Sequence, residues 1–144
     1  MATSKLFFED LEKEIVKTNL FSDMAKREVE KFLIFYEKDG RKRAAKGTPT
    51  STQIRKFFND IVAIKNKIDT AITDNEKEEK FKKELPYIKM IKAKVAYAKS
   101  REKVNNEFED FINKYIDEIK DIKDFYVFCD FFEAIIAYSK LLYK

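Results

Sequence analysis

The sequence predicts an all-α protein, a compact bundle of about five to six helices formed by a single domain over residues 1–144. Three observations support this prediction. Apolar side chains recur at helical spacing along most of the chain. Only two Gly and two Pro occur among many strong helix formers, which disfavours a turn-rich β fold. A hydrophobic fraction of 44%, including 14 Phe, is enough for a substantial core, and no strand alternation extends beyond a few residues.

Two amphipathic helices are expected before the first polar connection. The first covers residues 4–18 and places four apolar side chains on one stripe, Leu6, Phe7, Leu11 and Ile15. The second covers residues 23–38, with Ser22 as its N-cap and an apolar stripe of Ala25, Val29, Phe32, Leu33 and Tyr36. Residues 39–50, DGRKRAAKGTPT, then form a long basic loop, and loops of this length in a compact domain are usually functional or mobile.

The remaining helices are expected after residue 50. The third covers about residues 51–72 and carries Ile and Phe at helical spacing. A turn and a short charged helix follow. Pro86 then suits the first turn of a fourth helix that runs to about residue 101, because the N–H that Pro lacks would be unpaired there. A fifth and a sixth helix cover about 104–121 and 124–143.

The sixth helix is apolar on nearly all sides, unlike a surface helix with one apolar face. Its apolar residues are Phe125, Val127, Phe128, Phe131, Phe132, Ile135, Ile136, Leu141 and Leu142. Two interpretations are open. The helix is central in the bundle, which is the simpler interpretation, or one of its faces meets another protein chain.

Several kinds of chemistry lack the residues they require. The chain has no His, the side chain best suited to proton transfer near neutral pH and the commonest transition-metal ligand. The single Cys, Cys129, lies among apolar residues, excludes an internal disulfide framework and indicates packing rather than a nucleophile. The two glycines do not form a phosphate-binding loop. We therefore expect a non-catalytic protein with no cofactor and no metal.

The N-terminal residues and the most apolar stretch of the chain indicate its cellular location. The N-terminal residues lack a basic start followed by a continuous apolar region, which a secretory signal would show. The stretch 125–138 is interrupted by Asp130 and Glu133 and is too short to span a bilayer. We expect a cytoplasmic protein that has no membrane association.

Positive charge is concentrated in two segments. Residues 38–56 hold seven basic side chains and one acidic side chain, and residues 89–103 hold six and one. The rest of the chain holds 17 basic and 24 acidic residues, although the whole chain carries a net charge of only +4. Such clustering is what a site for a polyanion requires, and chance clustering in a lysine-rich protein is the alternative.

The first basic segment ends in TSTQIRKFF, where the third helix begins. Its first turns carry Gln53, Arg55 and Lys56, although the dipole of a helix N-terminus favours acidic side chains there. These side chains are suited to phosphate and sugar contacts, and the free N–H groups of a helix N-terminus also attract anions. Helical spacing places Arg55 and Lys56 opposite the apolar side of the helix.

The second basic segment lies on the fourth helix. Lys94, Tyr97 and Arg101 share one flank, whereas the other flank carries Lys89, Lys92, Lys99 and Lys103. Arg101 is the stronger candidate for a phosphate contact, since a guanidinium offers two donors in one plane. Tyr97 either stacks on a base or ribose or packs its ring against the protein, and packing is the commoner outcome for tyrosine.

With these residues in view, the chain resembles the small, all-helical subunit of the type III-A CRISPR effector, the Csm complex. Three stretches show the resemblance in the family's order and spacing: TSTQIRKFF (50–58), LPYIKMIKAKVAYAKSR (85–101) and FYVFCDFFEAIIAYSK (125–140). The similarity covers roughly residues 47–140. One difference is Ser100, where the family commonly has Gly just before the second arginine.

The resemblance implies a function and a set of partners. Members of the family lie in several copies beside the guide RNA paired with its target RNA, contact the backbone and do not cut. It implies that Arg55, Lys56, Lys94 and Arg101 contact phosphates, with Gln53, Lys92 and Lys99 as weaker candidates. The implied partners are the guide and target RNA, the backbone and large subunits, and neighbouring copies of the chain.

Three other classes of function stay open from the residues alone. One is an enzyme of unfamiliar type, which the absence of His and of a Gly-rich loop disfavours. A helical adaptor or oligomerisation module would need no nucleic-acid site, and its basic loop would bind acidic protein or stay solvated. A DNA-binding regulator would need a recognition helix with base-reading side chains, which only the fourth helix approaches.

Overall fold

The structure is a computed structural model that describes residues 2–144. It contains five α-helices and two short β-hairpins. In chain order the elements are β1 (Phe8–Asp10), β2 (Ile15–Val16), α1 (Ala25–Phe32), β3 (Phe35–Lys38), β4 (Arg41–Ala44), α2 (Ser51–Asp69), α3 (Asp74–Ser100), α4 (Asn106–Asp117) and α5 (Ile122–Tyr143). The prediction of a helical bundle is confirmed, with five helices and only small strands.

Helix α5 is the central helix of the bundle. It packs against α1 and α2, and the side chains of Phe125, Phe128, Phe131 and Phe132 are completely buried. Each such Phe contributes about 1.5–3 kcal/mol through the apolar surface it removes from water. The interpretation of this helix as central is confirmed, and its apolar circumference is explained by neighbours on several sides.

Aromatic contacts join the other helices to this core. Phe58 of α2 stacks on Phe132 of α5 with ring centroids 5.7 Å apart. Phe108 of α4 meets Phe32 of α1 edge to face at 5.0 Å and lies 5.8 Å from Phe57 of α2. The predicted bounds of α2, α4 and α5 hold to within a few residues, because each of these three helices carries a regular apolar stripe and begins at a side-chain cap.

The first predicted helix, over residues 4–18, is wrong. The chain forms the hairpin of β1 and β2, which reverses through Glu14 at φ +56°. Phe7 and Phe8 are both buried, whereas Ile15 is 50% exposed, so the expected stripe does not lie on one face. Phe7 packs against three aromatic rings of α4 and α5, and this tertiary contact outweighs local helix propensity.

The second predicted helix is much shorter than residues 23–38. It ends at Phe32, because Leu33 adopts extended backbone with φ −88° and ψ 97°. Residues 35–38 then form β3, which pairs with β4 through a turn at Asp39 and Gly40, both at positive φ. Positive φ at both central residues matches the right-handed twist of the strands. The predicted loop 39–50 is therefore half of a hairpin followed by a short connection.

The start of α1 also differs from the prediction. A π-helical turn over Leu20–Met24 precedes the helix, and Met24 rather than Ser22 is the N-cap. No cap hydrogen bond from a side chain forms at this position. The Ser22 hydroxyl is directed back to the Asn19 carbonyl instead.

Helix α3 is continuous over 27 residues, so the predicted break at Pro86 is wrong. A proline inside a helix removes one backbone hydrogen bond and costs about 3 kcal/mol. Pro86 is exposed, whereas Phe81 and Ile88 on either side of it are buried. Burial of those two side chains, at about 1.5–3 kcal/mol each, holds the helix together across the proline. Within residues 2–144, none of the helices has both the length and the apolar composition needed to cross a bilayer.

Candidate nucleic-acid interface

A groove of about 670 Å³ lies between the beginning of α2 and the second half of α3. Four basic side chains line it, Lys56, Lys94, Arg101 and Lys103, together with Gln53, Tyr97 and the acidic Asp60. Four of the seven residues predicted to contact RNA are therefore brought together here: Gln53, Lys56, Lys94 and Arg101. Two separate basic segments of the sequence meet along this groove.

Helix α2 presents its first turns to the groove. Thr50 caps the helix by accepting a hydrogen bond from the Gln53 N–H at 3.1 Å, and no acidic residue occupies the first turn. Ile54 and Phe57 are buried and fix the rotation of the helix. Lys56 consequently faces the groove at the positive end of the helix dipole, where an anion is favoured.

Arg55 occupies a different position from Lys56. Its side chain is exposed, but it does not line the groove. Adjacent residues of a helix are rotated by about 100° from each other, so Arg55 and Lys56 do not project in the same direction. The structure thus separates two cations that the sequence placed together opposite the apolar side.

Helix α3 supplies Lys94, Tyr97 and Arg101 to the same groove, as their spacing predicted. Val95 is buried and turns this flank toward α2. The Lys94 ammonium lies 3.6 Å from the Asp60 carboxylate, and both side chains are partly exposed. Asp60 therefore offsets part of the positive charge that Lys94 brings to the groove.

Tyr97 is 63% exposed, so the interpretation that its ring packs into the protein is wrong. The Arg101 guanidinium lies 5.7 Å from the ring centroid, and its Nη1 donates a hydrogen bond to the Tyr97 hydroxyl at 3.1 Å. This contact holds Arg101 along the groove, and most of its five donor N–H groups stay available to a ligand. An exposed ring next to a guanidinium is an arrangement suited to a nucleotide.

The C-terminal end of α3 brings in Lys103, which the sequence had placed on the opposite flank with Lys99. The Lys103 N–H donates to the Ala98 carbonyl and the Glu102 N–H to the Lys99 carbonyl, each at 2.9 Å. Glu102 has a positive φ of 59°. These are the features of a Schellman helix end, with a glutamate at the position that glycine usually takes. Helical spacing ends here, and Lys103 turns toward the groove.

Lys92 and Lys99 lie on the α4 side of α3. Lys92 forms an ion pair with Asp117 at 2.6 Å, and Lys99 with Glu109 at 3.1 Å. One turn before Lys92, the Lys89 ammonium donates to the Ile116 carbonyl at 2.9 Å, and burial lowers the pKa of Lys89. These lysines join α3 to α4. The acidic residues of α4, which the sequence analysis did not connect with these lysines, are the sequence feature that could have indicated this role.

The connection after β4 lies against the same end of α3. The Lys46 ammonium lies 3.2 Å from the Glu102 carboxylate. Gly47, at φ +84°, passes so close to the next segment that an added Cβ would lie 3.6 Å from the Val104 carbonyl oxygen. The base of the β3–β4 hairpin is therefore adjacent to the end of the groove that holds Arg101 and Lys103.

Little in the described residues is suited to covalent chemistry. The Cys129 thiol is buried, and burial raises its pKa to about 12, so it carries no thiolate near neutral pH. Within residues 2–144, no cluster of three or more acidic or Cys side chains is placed to hold a metal ion. The arrangement in the groove is suited to binding a polyanion.

Comparison with known proteins identifies one family. Residues 26–144 match the family model described as Csm2 Type III-A. This match covers α2 to α5, the β3–β4 hairpin and all of α1 except Ala25, and it omits the β1–β2 hairpin. Searches of curated proteins and of solved structures gave no match.

Proposed function

The chain belongs to the Csm2 family of type III-A CRISPR effectors, and from that premise we propose that it is a non-catalytic subunit that binds the backbone of the guide RNA and its target RNA. Family membership makes it a subunit of the Csm effector in type III-A CRISPR defence. Contact with RNA, and the groove as the place of that contact, are our proposal.

The observation that carries this proposal is the groove between α2 and α3. It gathers four cations around Gln53 and Tyr97, with Asp60 as its acidic residue. The groove follows α3 from Met90 to Arg101, which at 1.5 Å per residue is about 16 Å. Stacked nucleotides advance about 3.4 Å each along a strand, so roughly five of them match this length.

The side chains suggest a division of roles. Arg101 is held by Tyr97 and offers paired donors to one phosphate, whereas Lys56 and Lys94 act as point charges toward its neighbours. Gln53 suits a sugar hydroxyl or a phosphate oxygen. Such contacts position a strand without identifying its bases, which fits a subunit that must accept any guide sequence.

The other predicted contacts are weaker parts of the proposal. Arg55 is exposed outside the groove and would reach a phosphate on a neighbouring part of the RNA. Lys92 and Lys99 reach RNA only by giving up their ion pairs with Asp117 and Glu109. We therefore rank Lys56, Lys94 and Arg101 above these three.

The proposed partners follow from the same family. They are the guide and target RNA, the backbone and large subunits of the effector, and neighbouring copies of this chain in the cytoplasm. A single groove with few phosphate contacts binds weakly. Several copies side by side would bind through their combined contacts, because each additional contact becomes intramolecular.

A salt titration of RNA binding tests the proposal. The fluorescence anisotropy of labelled single-stranded and duplex RNA is measured with the parent, Lys56→Gln and Arg101→Gln. Lys26→Gln, which changes an exposed lysine of α1, is the matched control. We expect affinity to fall steeply with salt, with little sequence preference, and each groove variant to bind about fivefold more weakly near 0.1 M salt. Equal binding by the parent and both groove variants would contradict the proposal, and absence of any RNA binding at low salt would favour the adaptor.

A further inference from the structure

We propose that the outer face of the β3–β4 hairpin, formed by Tyr36, Lys38, Arg41 and Arg43, is a second contact for the RNA backbone that continues from the end of the groove. This inference rests on the proposed function, because the groove supplies the first contact. It adds a surface to which neither the family match nor the groove assigns a role.

The register of the hairpin places these four side chains together. Tyr36 pairs with Arg43 and Lys38 pairs with Arg41 in the antiparallel ladder. Residues opposite each other in such a ladder project to the same face, as do residues two apart on one strand. The outer face thus presents three cations and a tyrosine, and all four side chains are exposed.

The other face of the hairpin is turned toward the protein. The ring of Phe35 meets that of Tyr143 edge to face at 5.2 Å. The Lys42 ammonium donates to the Leu142 carbonyl and lies 4.6 Å from the centre of the Phe35 ring. These contacts attach the hairpin to the end of α5, and they leave the outer face directed away from the core.

The cations of the outer face are not engaged by any side chain in the part of the chain that the structure describes. In residues 2–144, Lys38, Arg41 and Arg43 form no ion pair, whereas Lys42 on the inner face is engaged. Lys38 lies directly opposite Arg41, and like charges at opposed positions destabilise a hairpin. A bound phosphate would relieve this repulsion. An alternative explanation is that cations on an edge strand discourage aggregation. That explanation does not account for the exposed ring of Tyr36.

The base of the hairpin lies near the end of the groove. Lys46 follows Arg43 by three positions, which is about 10 Å of extended chain. Lys46 in turn pairs with Glu102, between Arg101 and Lys103 of the groove. A strand that leaves the groove at Arg101 therefore meets the hairpin next, and the combined basic surface is longer than the groove alone.

The test compares two RNA lengths with three double variants of the full chain. A six-nucleotide strand spans about 20 Å, which is about one nucleotide longer than the groove, whereas a 20-nucleotide strand extends far past the groove. The variants are Arg41→Gln with Arg43→Gln in the hairpin, Lys56→Gln with Arg101→Gln in the groove, and Lys26→Gln with Arg27→Gln as a control that removes the same charge from α1.

We expect the hairpin variant to bind the six-nucleotide strand as the parent does and the 20-nucleotide strand about 25-fold more weakly at 0.1 M salt, since each lost phosphate contact weakens binding about fivefold. The groove variant should weaken both strands, and the control neither. A hairpin variant that binds the long strand like the parent, while the groove variant is weakened, overturns this inference and leaves the proposed function standing.

Two further outcomes also overturn it. Equal loss for both strands would mean that the hairpin is not an extension of the groove. If the hairpin variant lost binding to poly-glutamate while its RNA binding stayed unchanged, the outer face would be a contact for an acidic protein. If none of the variants affects RNA binding, the proposed function itself fails. Thermal unfolding controls for folding: the hairpin variant should melt no lower than the parent, because its substitutions remove a repulsion.

Discussion

Asp60 lines the groove beside Lys94, and its removal should tighten RNA binding. The Asp60 carboxylate lies 3.6 Å from the Lys94 ammonium, with 36% and 50% of the two side chains exposed. In a groove that binds a polyanion, this carboxylate repels phosphate and partly neutralises a cation. Asp60→Asn keeps the size of the side chain and removes only its charge.

The size of the effect follows from elementary electrostatics. A carboxylate about 6 Å from a phosphate charge in water raises the free energy of binding by about 0.7 kcal/mol, which is roughly threefold in affinity. A fully freed lysine adds up to one phosphate contact, or about fivefold at 0.1 M salt. We expect Asp60→Asn to bind RNA about three- to fivefold more tightly, with a steeper salt dependence. Loss of an exposed ion pair should change stability by less than about 1 kcal/mol.

The assay is anisotropy of a labelled RNA across a salt series, with Asp110→Asn as the matched control. Asp110 is an exposed carboxylate on α4 that does not line the groove. Both variants raise the net charge by one, so a general charge effect would appear in both. Charges farther apart than about 10 Å are largely screened at 0.1 M salt. Equal or weaker binding by Asp60→Asn would refute the groove as the RNA contact.

Three further predictions concern stability. Asp124 is completely buried and accepts hydrogen bonds from the N-terminal segment and from the start of α5, so Asp124→Asn should lower the free energy of unfolding by about 3 kcal/mol in urea. An unchanged midpoint would contradict this. Pro86→Ala should raise that free energy by about 1–2 kcal/mol, because it restores a backbone donor inside α3, and a loss would show that the proline is required. Stability should fall above pH 9, since burial raises the pKa of Cys129 from 9.0 to about 12 and only the unfolded chain releases this proton between those values. The slope should be shallower in Cys129→Ala, and identical slopes would exclude the thiol as the cause.

Parts of the fold could be predicted because their determinants are local. The apolar stripe of α2 and its cap at Thr50 lie within one segment, and the same holds for α4 and α5. The N-terminal third could not be predicted in this way. Phe7 contacts rings on α4 and α5, and Leu33 and the turn at Asp39 and Gly40 redirect the chain after a single short helix. Helical periodicity in a sequence does not include these distant partners.

The candidate site also has a part that the sequence predicted and a part that it did not. The common flank of Lys94, Tyr97 and Arg101 was predicted, since it depends only on the rotation of one helix. The position of Lys56 beside this flank was not predicted, because it requires α2 and α3 to pack side by side. Lys103 joined the groove through the turn at Glu102, which no spacing rule describes.

By itself, the sequence determined the helical class, the concentration of cations in two segments, the lack of histidine and the family to which the chain belongs. Only the tertiary structure decided which cations meet in a groove, which are held by acids on α4 and which lie exposed on one face of the hairpin. The physical reason is the range of the interactions. Helix rotation and capping depend on neighbours along the chain, whereas ion pairs and grooves join segments that are far apart in sequence and meet only when the core packs.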